Sequence, residues 1–184
     1  MITIRPIKEE DVPGFREAVD SVCRERKFLA AVEAPSLQRS MEFVRRNVQL
    51  GFPQFVAESE SGIIGWCDAI PGDPSSGTAH VGRLGMGVVR GFRGQGIGHR
   101  LLDATIRRAR AMGLEKVELS VYSSNEAAIS LYRKHQFVEE GRKRRGRFMD
   151  GVHEDVLLLA LMLDVEPGRL SEGSFDPDAT GSEW

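Results

Sequence analysis

The sequence predicts an α/β (α+β) domain in which helices flank one mixed β-sheet. Strand-like and helix-like segments alternate between residues 79 and 137, which favours parallel pairing. Short alternating segments joined by turns stand at either end, and these favour antiparallel hairpins. The chain has 184 residues, of which 41% are hydrophobic, and this suits a single domain with a substantial core, placed at residues 1–163.

The first part of the chain is predicted to hold one strand and two helices. Residues 2–5 alternate between apolar and polar and form a strand that Pro6 ends. Apolar residues at helical spacing predict a helix over about residues 9–26 and a second one between the N-cap Ser36 and the stop Gly51. The apolar stripes are Val12, Phe15, Val19 and Val22 in the first helix and Leu37, Met41, Val44 and Val48 in the second.

The rest of the domain is predicted to hold a hairpin and then alternating strands and helices. Glycines at positions 82, 85 and 87 interrupt the central strand, and glycine in a strand often marks a bulge or the close approach of another chain or a ligand. The predicted strands are residues 54–58, 63–70, 79–89, 116–122, 137–142 and 156–163, and the predicted helices begin near residues 97 and 125.

Charge is distributed unevenly along the chain. Residues 164–184 hold six acidic residues and one arginine, so their net charge is −5. Because the net charge of the whole chain is −2, the remaining residues carry a net charge of +3. Their Gly, Ser, Pro and acid content predicts a disordered tail. The weakly basic body accords with a polyphosphate ligand but is too weak to indicate nucleic-acid binding.

The composition also predicts where the protein works. No stretch is apolar over the length of a membrane span, and the first residues lack the features of a signal peptide, so we expect a soluble, cytoplasmic protein without a membrane partner. Cys23 and Cys67 lie in apolar segments without metal-ligand spacing. We therefore expect buried free thiols and no metal site.

The segment from Leu84 to Leu102 carries the clearest chemical signal. It reads as an apolar strand, a turn crowded with glycine and arginine, and the start of an amphipathic helix. Such a turn admits a ligand close to its backbone, and the helix start directs unpaired N–H groups and the positive end of its dipole at that ligand. The favoured ligand is an anion, above all a phosphate.

Two familiar phosphate loops do not match this turn. A Walker loop needs Gly-Lys-Ser/Thr, but Ile97 and His99 follow the last two glycines. A dinucleotide fingerprint needs Gly-x-Gly-x-x-Gly, whereas Gly94, Gly96 and Gly98 are evenly spaced. The turn instead reads Arg93-x-x-Gly96-x-Gly98, which resembles the pyrophosphate loop of the GNAT family of N-acetyltransferases.

A second motif resembles the helix that follows this loop in the same family. The family pattern is Asn-x-x-Ala-x-x-x-Tyr-x-Lys-x-Gly-Phe, and its spacings of three and four residues put the Asn, Ala and Tyr on one helix face. Gln136 departs from the pattern, because it stands where the family usually has glycine in the turn after the helix. The matching residues are Asn125, Ala128, Tyr132, Lys134 and Phe137.

The resemblance implies a GNAT-like fold and activity. The sheet would be mixed and mostly antiparallel, with six or seven strands, about four flanking helices, and a splay between the central parallel strands. The activity would be direct transfer of the acetyl group of acetyl-CoA, the co-substrate, to a primary amine, and family members often form homodimers. The implied cofactor-binding residues are Met86, Gly87, Val88, Arg93, Gly94, Gln95, Gly96, Ile97, Gly98, His99, Arg100, Asn125, Ala128, Tyr132 and Lys134.

The resemblance also implies a proton donor but leaves the general base open. Tyr132 matches the tyrosine that protonates the leaving thiolate. Many members carry a glutamate on the central strand, yet residues 82–84 hold no carboxylate. His80 is the candidate base and Glu118 the alternative, each acting through water, although a lone histidine is more often structural.

Other interpretations of the sequence stay open. The acceptor would be a protein or peptide amine, or a small polyamine, aminoglycoside or amino acid. A catalytically weak acyl-CoA sensor would bind CoA without turnover, and an interaction protein with the same fold would not bind it. The basic run at residues 142–147 would attract an acidic acceptor or the cofactor phosphates, or would be only a solvated strand end and turn.

Overall fold

One seven-stranded sheet with helices on both faces forms the domain. The computed structural model describes residues 1–163, and the tail predicted at residues 164–184 lies outside them. The described residues form seven strands and four α-helices. The predicted α/β fold class and mixed sheet are confirmed.

Strands and helices follow one another in the predicted order. Short 3-10 turns at Glu9–Asp11 and Arg90–Phe92 stand before the first and third helices. The strands are β1 Thr3–Pro6, β2 Gln54–Ser59, β3 Gly62–Pro71, β4 Val81–Val88, β5 Lys116–Tyr122, β6 Val138–Met149 and β7 Val152–Met162. The helices are α1 Val12–Arg24, α2 Leu37–Gln49, α3 Ile97–Ala111 and α4 Glu126–Lys134.

The two central strands of the sheet pair only at their beginnings. The strand order is β1-β2-β3-β4-β5-β7-β6, and every neighbouring pair is antiparallel except β4 and β5. That parallel pair ends at the register of Arg83 with Glu118, although β4 continues to Val88 and β5 to Tyr122. The strands therefore separate beyond this register, and the predicted splay is confirmed.

Each face of the sheet carries its own buried cluster. On one face, Leu101 of α3 and Tyr132 of α4 lie in a cluster with Val117 of β5. On the other face, Phe15 of α1 meets the Trp66 ring of β3 edge-on, with 6.1 Å between ring centres. Burial of a large apolar side chain contributes about 1.5–3 kcal/mol, so both helix pairs are held firmly on the sheet.

The second helix forms as predicted but turns a different face to the core. Ser36 caps it, because its hydroxyl accepts the Arg39 N–H at 3.3 Å. Of the predicted apolar stripe only Val44 is buried, while its other three residues are 39% to 49% exposed. Asn47 is buried instead and donates to the Gln54 side chain of β2 at 2.9 Å. This polar contact fixes the rotation of α2 against the sheet.

The last two strands are longer than predicted. β6 extends through the basic run at residues 142–147, so that run lies within a strand rather than at its end. Asp150 and Gly151 have φ angles of 52° and 81°, which the type I′ turn of a two-residue hairpin requires. Charged residues on an edge strand give no apolar periodicity, which is why the sequence did not reveal the full length.

The glycines of β4 make room for the protein's own side chains. A Cβ on Gly85 would lie 3.2 Å from Oδ1 of Asp68, and a Cβ on Gly87 would overlap the Trp66 ring. Both side chains come from β3 and lie across β4 on the face covered by α1. Side chains of β3 therefore make the close approach to Gly85 and Gly87.

The cysteine thiols and the lengths of the helices were also addressed by the composition. Cys23 and Cys67 are buried and free, as predicted. Within residues 1–163, no helix combines the length and the apolar character that crossing a bilayer requires.

Substitution Gly87→Ala should lower the free energy of unfolding by about 1–3 kcal/mol, because the new methyl group overpacks the Trp66 ring. Urea denaturation followed by fluorescence measures the change. Gly91→Ala is the matched control, since no atom lies within 4 Å of its Cβ position, and it should change stability by less than about 0.5 kcal/mol. Equal stability of the two variants would contradict the packing described here.

Candidate active site

The turn between β4 and α3 is open on its outer side. The chain leaves β4 at Val88, passes through a 3-10 turn and enters α3 at Ile97. Gly94 and Gly96 have φ angles of 75° and 74°, a left-handed conformation that glycine adopts without strain. No atom lies within 4 Å of the Cβ position of either glycine. The backbone of this turn is therefore accessible to a ligand.

Consecutive N–H groups in this turn lack partners. Within the described residues, the N–H groups of Gly94, Gln95 and Gly96 donate to no backbone carbonyl. The first N–H groups of α3 also precede its first helical bond, which Arg100 donates to the Gly96 carbonyl at 3.2 Å. No side chain caps α3, and its first turn holds no acidic residue. Residues 94–99 thus offer a row of donors at the positive end of a helix dipole, which suits a pyrophosphate.

The side chain of Arg93 is engaged within the protein. Its guanidinium forms a two-pronged ion pair with Glu25, with N–O distances of 2.5 and 2.9 Å, and its Nε donates to the Val88 carbonyl at 2.7 Å. The same group lies 4.7 Å from the centre of the Phe28 ring. Three of its five N–H donors are therefore used in fixing the start of the turn to α1 and to the end of β4.

Beyond the splay, one edge of β4 has no strand beside it. β3 bonds to the odd-numbered residues of β4, as when the Val81 carbonyl accepts the Gly72 N–H at 3.1 Å. A residue in an antiparallel pair directs both its backbone groups to the same neighbour. Leu84, Met86 and Val88 therefore direct theirs into the gap between β4 and β5. This free edge leads directly into the open turn, so both belong to one continuous site.

Tyr132 projects from α4 into the core beside this gap. Its side chain is 6% exposed and its ring lies 5.6 Å from that of Phe137, in the cluster that includes Cys67 of β3. Burial raises the pKa of the phenol, and the thiol of Cys67 acts in the same direction. No residue of the described chain hydrogen-bonds the hydroxyl. The phenol is thus protonated at neutral pH.

The other residues of the second motif shape α4. Asn125 caps the helix, because its Oδ1 accepts the Ala128 N–H at 3.3 Å. Lys134 is exposed at the far end of the helix. Gln136 has a φ angle of 67°, so it takes the left-handed conformation for which the family uses glycine. The departure from the motif therefore preserves the turn and leaves Tyr132 in position.

Side chains at the start of α3 serve packing, while its backbone faces the turn. Ile97 is buried in the core, and Gly98 permits close approach of α4. His99 reaches α4, with its Nδ1 2.9 Å from Nε2 of His135. The exposed side chain of Arg100 donates to a carbonyl of the N-terminal segment at 2.9 Å. Any contact of these residues with a bound pyrophosphate would be made mainly through their N–H groups.

The structure does not bring His80 to this site. β4 begins only at Val81, and His80 is exposed in the preceding turn, at the opposite end of the strand from Met86. At about 3.3 Å per residue it lies roughly 20 Å away, too far to relay a proton through one water. Glu118, the alternative, is paired with Arg83 at 3.6 Å. The position of the base predicted from the sequence is therefore corrected.

A carboxylate outside the predicted site lies on β3, opposite Gly85 of β4. Asp68 of β3 is 8% exposed, is the register partner of Gly85 on β4, and has no hydrogen-bond or ion-pair partner among residues 1–163. Burial alone raises the pKa of its carboxyl group to about 7. The sequence did contain a sign of this carboxylate, because Asp68 is the one acidic residue in the otherwise apolar strand predicted at residues 63–70.

Comparisons with known proteins agree with this geometry. The Acetyltransferase (GNAT) family profile matches residues 20–137. The chain is 30% identical over 173 residues to the L-methionine sulfoximine/L-methionine sulfone acetyltransferase of Pseudomonas aeruginosa, covering 91% of this chain and 96% of that protein. It is 28% identical over 156 residues to an uncharacterized N-acetyltransferase from the SPbeta prophage of Bacillus subtilis, covering 84% of this chain and 85% of the relative.

A solved structure shares the fold. The phosphinothricin acetyltransferase of Sinorhizobium meliloti, solved in complex with acetyl-CoA, aligns with a TM-score of 0.81 and 21% identity over 88% of each chain. The match of the family profile to most of the domain, together with the relative from Pseudomonas aeruginosa, confirms the resemblance seen in the sequence. The chain belongs to the GNAT family of acetyltransferases.

Proposed function

We propose that this protein is an N-acetyltransferase that moves the acetyl group of acetyl-CoA directly to a primary amine in a ternary complex. The row of open backbone groups from the free edge of β4 to residues 94–99 carries the proposal. A pantetheine arm has amide groups that can pair with a strand edge, and a pyrophosphate takes N–H donors. One extended ligand would therefore satisfy both halves of the site.

The residues present fit this co-substrate. The N–H groups of residues 94–99 would hold its pyrophosphate, because Gly94 and Gly96 leave the space that side chains would fill. The backbone groups of Met86 and the N–H of Val88 would hold the pantetheine in the gap, since Arg93 already binds the Val88 carbonyl. The proposed contacts on α4 are Asn125, Ala128, Tyr132 and Lys134.

The protein's part in the chemistry is to stabilise charge and to move protons. When the amine nitrogen forms its bond to the carbonyl carbon, negative charge develops on the carbonyl oxygen, and an N–H group of Met86 or Val88 would stabilise it. The carbon–sulfur bond then breaks, and the thiolate takes the proton of the Tyr132 hydroxyl. A proton from the new amide nitrogen restores the phenol. The products are the acetylated amine and CoA with a free thiol.

A covalent acyl-enzyme is not part of this mechanism. Transfer through an enzyme thiol needs a thiolate that the thioester can reach. Burial raises the pKa of both Cys23 and Cys67, and the nearby carboxylates, Asp20 for Cys23 and Asp68 for Cys67, raise it further, so both thiols stay protonated. Direct attack by the amine is the remaining route.

The acceptor would enter on the face of β4 opposite to Tyr132. There, the connection between α1 and α2 meets the tip of the β6–β7 hairpin, where Arg26 pairs with Asp150 at 2.6 Å. Arg147 of the same hairpin lies 4.3 Å from the centre of the Tyr122 ring at the end of β5. The relative named for L-methionine sulfoximine and L-methionine sulfone makes small amino acids of this kind the first acceptors to examine.

Substitution Tyr132→Phe should reduce kcat by about tenfold or more, because general acid catalysis typically contributes about 10²–10⁴-fold and a thiolate already leaves fairly well. Release of free thiol from acetyl-CoA, with L-methionine sulfone as the acceptor, measures kcat. Calorimetric titration should give the same Kd for acetyl-CoA in both proteins, within about twofold.

Two outcomes would contradict the assignment. An unchanged kcat would remove Tyr132 as the proton donor. Tight binding of acetyl-CoA to the wild-type protein, without turnover of any amine in a panel of amino acids, polyamines, aminoglycosides and peptides, would favour the acyl-CoA sensor instead.

The ion pair between Glu25 and Arg93 offers a second test. If Arg93 acts by fixing the turn, Glu25→Gln and Arg93→Gln should each weaken acetyl-CoA binding by a similar factor, about three- to tenfold. The double variant should then bind no more weakly than either single one, because both remove the same constraint. If Arg93 bound the phosphates directly, Arg93→Gln would weaken binding far more than Glu25→Gln and the two losses would add.

A further inference from the structure

We propose that Asp68 is the general base of the transfer and accepts the proton that the acceptor's ammonium group must lose before it attacks. This inference rests on the proposed function, because it assumes that the thioester lies along Met86 to Val88. Asp68 then supplies the carboxylate that residues 82–84 of the central strand lack.

Asp68 and Tyr132 lie on opposite faces of the sheet. Successive residues of a strand point to opposite faces, so Cys67 and Asp68 of β3 lie on different sides. Cys67 faces the cluster that contains Tyr132, and Asp68 faces α1 and α2 together with Trp66. The nitrogen and the sulfur are bonded to the same carbon in the tetrahedral intermediate. A proton donor on one side of β4 and a proton acceptor on the other suit the two atoms.

Asp68 lies close to β4. Asp68 is the register partner of Gly85, and its Oδ1 lies only 3.2 Å from the Cβ position of that glycine. The carboxylate therefore lies over Gly85, one residue before Met86, whose backbone groups face the gap. An alanine at position 85 would put its methyl group against this carboxylate. The glycine there therefore leaves the space that the Asp68 side chain occupies.

The Asp68 carboxylate has no polar partner among the described residues. Asp68 is 8% exposed and makes no hydrogen bond or ion pair within the described chain. A buried carboxylate without a partner destabilises a fold, and such groups concentrate at functional sites. An ammonium group arriving from the acceptor face would be the partner that this carboxylate lacks.

The surroundings of Asp68 explain why it would hold a proton near neutral pH. The buried residues of α1 and α2 on this face are uncharged. Its neighbour on β2 is the neutral Gln54, and the charged residues on this face of β4 and β5, Arg83, Lys116 and Glu118, pair with one another. Burial thus raises the pKa of Asp68 to about 7, which is close to the ideal for a base at physiological pH.

Each proton that moves in the reaction has a defined donor and acceptor. An N–H bond of the ammonium group breaks and an O–H bond forms on the Asp68 carboxylate, which leaves a lone pair on nitrogen. That lone pair forms the bond to the carbonyl carbon, and a second proton of the nitrogen later restores Tyr132. Asp68 releases its proton to water when the acetylated product leaves, so each turnover gives one proton to the solvent.

Substitution Asp68→Asn keeps the shape of the side chain and removes the base. At pH 7 it should lower kcat/KM for L-methionine sulfone by about 100-fold, since general base catalysis contributes about 10²–10⁴-fold. Binding of acetyl-CoA, measured by titration calorimetry, should stay within about twofold of the wild type. Glu139→Gln is the control, an exposed carboxylate on the edge strand β6 outside the site, and should retain turnover within about threefold.

A neutral nucleophile separates a base from a structural group. Hydroxylamine is already uncharged at pH 7, so the Asn variant should lose less than about fivefold of its rate with this acceptor. An equal loss with hydroxylamine and L-methionine sulfone would overturn the inference. Equal turnover of wild type and variant with L-methionine sulfone would also overturn it. Failure of the wild-type protein to acetylate any amine would overturn the proposed function and this inference together.

Thermal unfolding gives a second readout that needs no turnover. Because the folded pKa lies above the unfolded value of 3.8, the stability that protonated Asp68 contributes is full below about pH 4 and is lost as the pH rises to about 7. Asp68→Asn should therefore unfold at the same temperature as the wild type at pH 4 and at a higher temperature at pH 8. A lower temperature at pH 8 would mean that ionised Asp68 has a structural partner, and it would overturn the inference.

Discussion

The separation of β4 from β5 is the feature on which the site depends. The strands pair only up to Arg83 and Glu118, and beyond this register no strand pairs with that edge of β4. An unpaired strand edge in the middle of a sheet is costly unless something satisfies it. The ion pair of Arg93 with Glu25 and its bond to the Val88 carbonyl fix the end of this edge. The open turn follows directly, so the strand edge and the proposed phosphate site form one groove.

The two faces of β4 have different chemical character. Tyr132 and the start of α3 lie on one face, with backbone donors and a protonated phenol. Trp66 and Asp68 lie on the other, under α1 and near the connection that meets the β6–β7 hairpin. A bisubstrate reaction needs such a division, since the two substrates must reach one carbon atom from different directions. The glycines of β4 permit it, because β3 side chains can cross the strand where a Cβ is absent.

Local patterns in the sequence were enough for the sheet, the helices and the glycine-rich turn. The Ser36 cap and the Asp150–Gly151 turn are also local, because neighbouring residues decide them. Long-range contacts were not accessible in this way. The partner of Arg93 is Glu25, far back in the chain, and the rotation of α2 depends on Asn47 meeting Gln54. Asp68 escaped notice for the same reason, since only the strand register shows that it lies across Gly85 from the free edge.

Titration of acetyl-CoA into the purified protein tests the central claim most directly, with Gly96→Val and Gly113→Val measured beside the wild type. Both glycines have positive φ angles, 74° and 87°, so both variants strain the backbone, but Gly96 precedes α3 and Gly113 follows its other end, roughly 25 Å away at about 1.5 Å per residue. We expect micromolar binding that Gly96→Val weakens by at least about tenfold and Gly113→Val leaves unchanged. Absence of binding to the wild-type protein, or equal effects of the two substitutions, would contradict a pyrophosphate site at residues 94–99.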